Sequence, residues 1–262
     1  MGNINRRQFV AGSAAAAGAM ASAMAMPRTA RGADDAWGDL KGRLVYDGEA
    51  PERKKLVVDK DVECCGKFDI RDESLMVGED GGLQNVYIYV RTKDVAVCPD
   101  LEKSCKEQVL LDNRDCIFMP HCMSIWASKQ KYYIVNSDPV AQNVAFTPLL
   151  DTPANIILPV GGDATWHFKR AQRAPVPIAC NYHPWESAYV LPLDHPYVAI
   201  TGKDGSFTIP KLPVGELEFQ IWHERVTYLD TKDWPKGRMK MKLQAGVNDL
   251  GIIKIPPSAL EK

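Results

Sequence analysis

The stretch Cys180-Asn181-Tyr182-His183-Pro184-Trp185-Glu186 decides the fold. It places a thiol, an imidazole and a carboxylate three residues apart, on a loop that Pro184 stiffens. The preceding strand is expected to end at Cys180, and the following strand to begin near Ala188. A type 1 copper site needs a soft thiolate, two imidazoles and a weak axial donor. The spacing therefore predicts a mononuclear metal site on a loop between two strands.

Further motifs flank this loop on both sides. They are Leu111–His121, Asn136-Ser137-Asp138-Pro139, and Asp194–Glu224, which starts with Asp-His-Pro-Tyr and ends with Trp-His-Glu. Together with the loop, these motifs resemble exported cupredoxin-like (blue-copper-fold) proteins of planctomycete type, over nearly all of the mature chain. The resemblance implies a Greek-key sandwich with four metal ligands: two histidines, a cysteine and a methionine.

Two of these four ligands differ in this chain. Gln142 stands where the resemblance places the earlier histidine, and Glu186 stands where it places methionine. An amide oxygen is a weak substitute for an equatorial imidazole, whereas a carboxylate is a harder donor that favours Cu(II). Copper is the expected metal, and Cys180, His183 and Glu186 can also hold zinc.

The chain has only five histidines, so each is a candidate for the missing imidazole. His121, beside Cys122, is the one retained as a metal candidate. For each histidine outside the loop a structural role is the more frequent one; the remaining three are His167, His195 and His223. The loop itself also has a metal-free alternative, in which its cysteine is a buried thiol or half of a disulfide.

The N-terminal residues 1–33 are expected to be a signal and leader. Asn5–Val10 is a twin-arginine pattern, and Ala11–Ala25 is a weakly apolar, Ala-rich run. Cleavage is expected near Ala25, with Ala33 as the later alternative, and an uncleaved amphipathic helix is the other interpretation. The run is too short and too weakly apolar for a membrane span, and no later segment approaches that length. A periplasmic or extracytoplasmic location by the twin-arginine route is predicted.

Charge and motifs restrict the function further. Lys and Arg number 32, Asp and Glu number 33, and the net charge is −1, which gives no indication of nucleic acid or an anionic membrane. The sequence has no Ser-His-Asp signature, HExxH motif or phosphate-binding glycine loop, so an enzyme is not expected. A redox protein is the expected partner, and the oligomeric state is left open.

Seven cysteines in an exported chain indicate disulfides first. Pairing of Cys98 with Cys105 is one expectation. Pairing of Cys64 or Cys65 with Cys116 or Cys122 is another, and the sequence does not decide between them. The vicinal cysteines have a second interpretation as a redox or metal-binding pair.

Short apolar runs between turns predict an all-β chain: a Greek-key cupredoxin-like sandwich with an additional small antiparallel β-sandwich module. The expected divisions are 34–104, an N-terminal β region; 105–194, the cupredoxin-like domain; and 195–262, a carboxypeptidase-regulatory-like or transthyretin-like β region. One arrangement joins the first and last regions in one sandwich. A short helix is expected near Pro99–Glu107, capped by Asp100.

Two functions follow from these patterns. The first is an exported protein with an altered type 1 copper site, for electron transfer or copper handling. The alternative is a degenerate cupredoxin that binds no metal and serves as a structural or partner-binding module. In that alternative, the aromatic residues Tyr182, Trp185 and Trp222 would form an exposed recognition surface.

Overall fold

Strands dominate the described chain, residues 36–261, in the computed structural model, which confirms the all-β sandwich class. The predicted signal and leader, residues 1–33, lie outside the described residues. The strands are β1 (Trp37–Tyr46), β2 (Tyr87–Val90), β3 (Gln108–Arg114), β4 (Ile117–Met119), β5 (Cys122–Trp126), β6 (Lys131–Asn136), β7 (Gln142–Phe146), β8 (Ala154–Leu158), β9 (Asp163–Trp166), β10 (Val176–Ala179), β11 (Ser187–Leu193), β12 (Val198–Ile200), β13 (Ser206–Pro213), β14 (Gly215–His223), β15 (Thr227–Tyr228), β16 (Arg238–Leu243) and β17 (Gly246–Ile255). The helices are α1 (Val62–Cys65) and α2 (Pro99–Lys103), and two 3₁₀ turns follow at Pro235–Gly237 and Pro257–Leu260.

The central part of the chain, β3 to β11, forms a two-sheet sandwich. One sheet has the order β4-β3-β6-β9 and the other β5-β11-β10-β7-β8. The strands alternate buried and outward residues; in β6, for example, Tyr132 and Ile134 are buried. Between the sheets lies an apolar core of large side chains, including Leu111, Phe118 and Phe146.

The ends of the chain form a second layered module around it. One sheet has the order β13-β1-β17, and the other has the order β12-β2-β14-β15 with β16 also paired to β14. β1 pairs with β17 in parallel, from Gly38 opposite Gly246 to Tyr46 opposite Ile255. The structure therefore joins the first and last parts of the chain, and the central sandwich is inserted between β2 and β12.

The two modules share a buried aromatic junction. Tyr87 on β2 and Trp222 on β14 pack edge to face, with ring centroids 5.5 Å apart, and Trp222 also meets Tyr189 on β11. The Tyr87 hydroxyl donates a hydrogen bond to the carbonyl of Tyr189, at 2.8 Å. The expectation that Trp222 is exposed is wrong, because the insertion places it between the two modules.

Several local expectations are also corrected. α2 begins after Cys98, which makes no side-chain cap bond, and it ends at Lys103; Asp100 lies inside the helix. Among the described residues the one disulfide joins Cys65 to Cys116, whereas Cys98 and Cys105 are free thiols. No helix in residues 36–261 has the length and apolarity that crossing a membrane requires.

Candidate metal centre

The loop between β10 and β11 folds back on itself through its own backbone. The His183 amide donates to Cys180 Sγ at 3.3 Å, and the Glu186 amide donates to the His183 carbonyl at 3.0 Å. The Asn181 amide donates to Asn143 Oδ1 on the neighbouring strand β7, at 3.0 Å. These bonds turn the three side chains with ligand atoms inward, and Cys180, His183 and Glu186 are all buried.

Four donor atoms meet at this loop. Gln142 opens β7, which runs beside β10 with Ala145 opposite Ala179, so its side chain reaches the loop. Gln142 Oε1 lies 2.8 Å from His183 Nδ1 and 3.6 Å from Cys180 Sγ. His183 Nδ1 lies 3.7 Å from Cys180 Sγ and 3.3 Å from Glu186 Oε1. The structure thus brings together all four residues that the sequence places at the altered site.

The spacing of Cys180 Sγ, His183 Nδ1 and Glu186 Oε1 fits a metal ion, whereas the 2.8 Å between Gln142 Oε1 and His183 Nδ1 is a hydrogen-bond distance. Metal–sulfur bonds of about 2.3 Å, with metal–nitrogen and metal–oxygen bonds of about 2.0–2.2 Å, separate tetrahedral ligand pairs by about 3.6 Å (S to N) and about 3.4 Å (N to O). The corresponding distances here are 3.7 Å from Cys180 to His183 and 3.3 Å from His183 to Glu186. The second carboxylate oxygen of Glu186, Oε2, is buried and has no hydrogen-bond partner. An orphaned oxygen of this kind is expected where a ligand binds.

Charge within the site is tightly coupled. Burial raises the pKa of Glu186, although His183 and Gln142 oppose the shift through hydrogen bonds. Burial and the Glu186 carboxylate raise the pKa of Cys180. Burial lowers the pKa of His183, but bonds to Glu186 and Asp61 outweigh it and raise the pKa overall. A metal ion must displace these protons, so its affinity is expected to rise with pH.

Two aspartates orient the ligand atoms from outside. His183 Nε2 donates to Asp61 Oδ2 at 2.8 Å, which directs Nδ1 toward the other three donors. Gln142 Nε2 donates to Asp138 Oδ2 at 2.8 Å and to Glu186 Oε1 at 3.1 Å. These two bonds turn the other amide atom, Gln142 Oε1, toward the Cys180 thiol. Asn136 Oδ1 accepts the Asp138 amide at 3.0 Å and fixes that aspartate in turn.

Sequence reasoning missed both aspartates as functional residues. Asp138 lies in the Asn136–Pro139 turn, so its position in a motif was the available signal. Asp61 lies 122 residues from His183, in a region without regular strands, and its weak signal is its place at the start of α1. Trp185 also packs beside the site. Its ring centroid lies 5.1 Å from that of His183, and its Nε1 donates a hydrogen bond to the Cys116 carbonyl.

The structure does not bring His121 to this loop. Its Nε2 donates to Glu224 Oε1 at 2.7 Å, and its Nδ1 donates to the Ser187 carbonyl at 3.0 Å. The remaining histidines are also elsewhere: His167 is exposed on the chain after β9, His195 accepts the Tyr197 amide, and His223 is buried at the end of β14.

Comparison with known proteins gives a limited result. No protein-family model matches the sequence. No curated protein matches it either. Similar solved structures include cupredoxins: amicyanin from Paracoccus versutus (Thiobacillus versutus) is 15% identical, covering 40% of this chain and 97% of its own, with a TM-score of 0.29. A purple cupredoxin from Nitrosopumilus maritimus is 17% identical, covering 34% of this chain and 100% of its own, with a TM-score of 0.27. These TM-scores lie below 0.5, so the likeness says nothing about the metal centre.

Proposed function

We propose that this chain is an exported cupredoxin-like protein whose altered type 1 site binds copper for electron transfer or copper handling. The observation that carries the proposal is the meeting of Cys180 Sγ, His183 Nδ1 and Glu186 Oε1 at ligand spacing, beside an unpartnered buried oxygen of Glu186. Gln142 Oε1 is the fourth donor.

Copper is preferred over zinc because, at a given set of nitrogen, oxygen and sulfur ligands, divalent copper binds more tightly than zinc. Cys180 supplies the covalent thiolate bond. The Glu186 carboxylate replaces a thioether with a charged, harder donor, and so favours Cu(II) over Cu(I). A bound copper ion supplies one-electron redox chemistry, and a redox protein is the proposed partner. Export rests on the twin-arginine pattern at Asn5–Val10.

Copper loading of the mature protein tests this proposal. One equivalent of Cu(II) is expected to bind and to give a visible thiolate-to-copper charge-transfer band. Cys180→Ser should abolish the band, whereas Cys98→Ser, which removes another buried free thiol, should keep it. The proposal fails if the protein binds no stoichiometric copper, or if the band survives Cys180→Ser. If the protein binds zinc but no copper, the proposed ligand residues stand and the metal is zinc.

A different observation favours a second function, a metal-free structural or partner-binding module. The side chains of the site hydrogen-bond one another: His183 donates from both ring nitrogens, to Gln142 or Glu186 on one side and to Asp61 on the other. A buried imidazolium beside a buried carboxylate balances charge within the site, and removing one partner of such a pair is destabilising.

The double variant Gln142→His, Glu186→Met separates the two functions. If the native protein binds no metal, restoring the imidazole and the thioether should create a blue copper site where none existed. If the native protein already binds copper, the same variant should shift its spectrum toward that of a type 1 site. Tight copper binding by the native protein contradicts the metal-free function.

A further inference from the structure

A short segment of chain covers the outer edge of His183. Residues 50–74, here called the cover segment, contain α1. Asp61 directly precedes this helix, and its carboxylate accepts a hydrogen bond from His183 Nε2. The Asp61 side chain is 48% exposed, while the His183 side chain is 0% exposed. One layer of the cover segment therefore separates the imidazole from solvent.

The cover segment is joined to the sandwich by one covalent bond, the Cys65–Cys116 disulfide, and by two ion pairs, Asp61 with His183 and Glu73 with His121. Two of its backbone hydrogen bonds, from Leu56 to Ile70 and from Asp72 to Lys54, join the segment to itself. Its buried contacts form a small apolar cluster around the Cys65–Cys116 disulfide. A segment with few contacts to the main cores opens at low free energy once its tether is removed.

The disulfide ends at the frame that holds the metal ligands. The Cys116 amide donates to both Asp138 oxygens at 3.2 Å, and the Cys116 carbonyl accepts the Trp185 indole N–H at 3.0 Å. On the other side, the Cys65 amide donates to the Asp61 carbonyl at 2.8 Å. The disulfide thus links the residue that orients His183 to the residues that orient Gln142 and the loop.

A third sulfur lies beside this disulfide. The sulfur atoms of Cys64, Cys65 and Cys116 all lie within 4.8 Å of one another. Cys64 is a free thiol and partly exposed, whereas Cys65 and Cys116 are both fully buried. A reductant in solvent therefore meets Cys64 before it meets either sulfur of the disulfide.

We propose that Cys64, Cys65 and Cys116 form a thiol–disulfide exchange site that accepts electrons from a dithiol and thereby releases the cover segment from the metal centre. In the first step, the Cys64 thiolate attacks Cys116 Sγ. The Cys64–Cys116 bond forms, the Cys65–Cys116 bond breaks, and the departing Cys65 thiolate takes up the proton that Cys64 lost. This step needs no external oxidant or reductant.

The second step consumes the dithiol. One of its thiolates attacks the exposed Cys64 sulfur to give a mixed disulfide, and Cys116 leaves as a thiolate and is protonated. The second thiol of the dithiol then attacks the mixed disulfide, closes a cyclic disulfide and frees Cys64. In total, two electrons and two protons pass from the dithiol to the protein, and the tether is cut.

The surroundings of Cys64 set the pH at which exchange is fast. Burial and the nearby Asp138 and Asp61 carboxylates raise the pKa of Cys64, and Lys67 opposes them. Because the thiolate is the attacking species, the exchange rate is expected to rise about tenfold per pH unit below that pKa.

The test follows reduction of the metal-free mature protein by dithiothreitol, with alkylation and peptide mass spectrometry as the readout. In Cys64→Ser the Cys65–Cys116 bond should be reduced at least tenfold more slowly than in the native protein. Cys105→Ser, which removes another partly buried free thiol, should leave the rate unchanged. Equal rates in native protein and Cys64→Ser would overturn the proposal.

Two further measurements keep the outcome clear. The Cys65→Ser variant should be isolated with a Cys64–Cys116 disulfide. Alkylation of both Cys64 and Cys116 in the folded variant would count against the exchange site. Reduction of the native protein should expose His183 to carbethoxylation by diethyl pyrocarbonate, and an unchanged modification rate would disprove release of the cover segment. That the cover segment lies over a metal centre rests on the proposed function. None of these readouts uses copper, so failure of the exchange proposal can be told apart from failure of copper binding.

Discussion

His183 and His121 are both buried, both bonded through each ring nitrogen and both held near carboxylates, yet only one lies at a candidate metal centre. A thiol, an amide oxygen and a carboxylate oxygen all face Nδ1 of His183. The two nitrogens of His121 are instead given to separate acceptors, Ser187 and Glu224. Burial and a charged neighbour therefore do not identify a ligand; the meeting of several donors at one nitrogen does.

The positions of the two histidines explain the difference. His183 lies on a loop whose backbone turns three side chains to the same side. His121 lies between β4 and β5, and its partner Glu224 follows β14 in the other module. His121 therefore acts as an ionic link between the central sandwich and Glu224 of the surrounding module, and Glu73 of the cover segment also lies 3.5 Å from its Nδ1.

Among the variants that compare His183 with His121, removal of the His183 imidazole should have the largest effect. His183→Ala is expected to lower copper affinity more than a hundredfold, above the ten- to hundredfold range of outer residues, because a direct ligand is lost. Competition with a chelator of known affinity measures it. His167→Ala, which removes an exposed histidine, is the control and should leave affinity unchanged. Equal affinities would remove His183 from the ligand set.

The corresponding change at the other histidine should act on stability. His121→Ala leaves Glu224, whose side chain is only 9% exposed, without its partner, and breaking a buried pair in this way costs about 3–5 kcal/mol. Urea unfolding measures the loss, and the variant should still bind one copper ion per chain. A loss below about 1 kcal/mol would show that the link behaves like a surface ion pair.

The pH dependence of stability should sharpen the comparison at His121. Hydrogen bonds to Glu224 and Glu73 outweigh burial and raise its pKa to about 9 from an ordinary value of 6.5. The protonated pair therefore stabilises the fold fully below about pH 6.5, and the contribution is lost as pH rises through 9. The loss amounts to roughly 3 kcal/mol. Urea unfolding of native protein and His121→Gln from pH 6 to 10 should converge at high pH; a constant difference would contradict the raised pKa.

Features of the fold and of the candidate site were predictable from sequence where the residues involved lie close together along the chain. The meeting of the Cys180, His183 and Glu186 side chains was predictable because spacing on one short loop is a local property. The all-β class was predictable from the same kind of local pattern. The joining of the first and last regions was one arrangement that the sequence left open, and the register of β1 against β17 and the choice of Cys65 over Cys64 as the partner of Cys116 depend on contacts between distant segments that it does not specify.

Asp61 is the clearest example of a residue that reaches the site from a distant segment. Its replacement gives the smallest effect predicted here, a loss of metal affinity. Asp61 has φ of 43°, a left-handed conformation that asparagine tolerates as well as aspartate does, so Asp61→Asn should leave the backbone unchanged. The variant removes the charge that orients His183 through Nε2, and loss of such an outer partner lowers metal affinity ten- to a hundredfold.

The matched control is Asp59→Asn, which removes an exposed carboxylate from the same segment and should change nothing. Chelator competition gives the affinity, and the electron paramagnetic resonance spectrum of the Cu(II) form gives a second readout. Because Asp61 acts through the imidazole, its loss should alter the nitrogen hyperfine coupling as well as the affinity. Unchanged hyperfine coupling with lowered affinity would mean that Asp61 serves the closure of the cover segment and not the orientation of His183. An effect of equal size in Asp59→Asn would mean that general electrostatic attraction of the cation, and not a specific bond, is responsible.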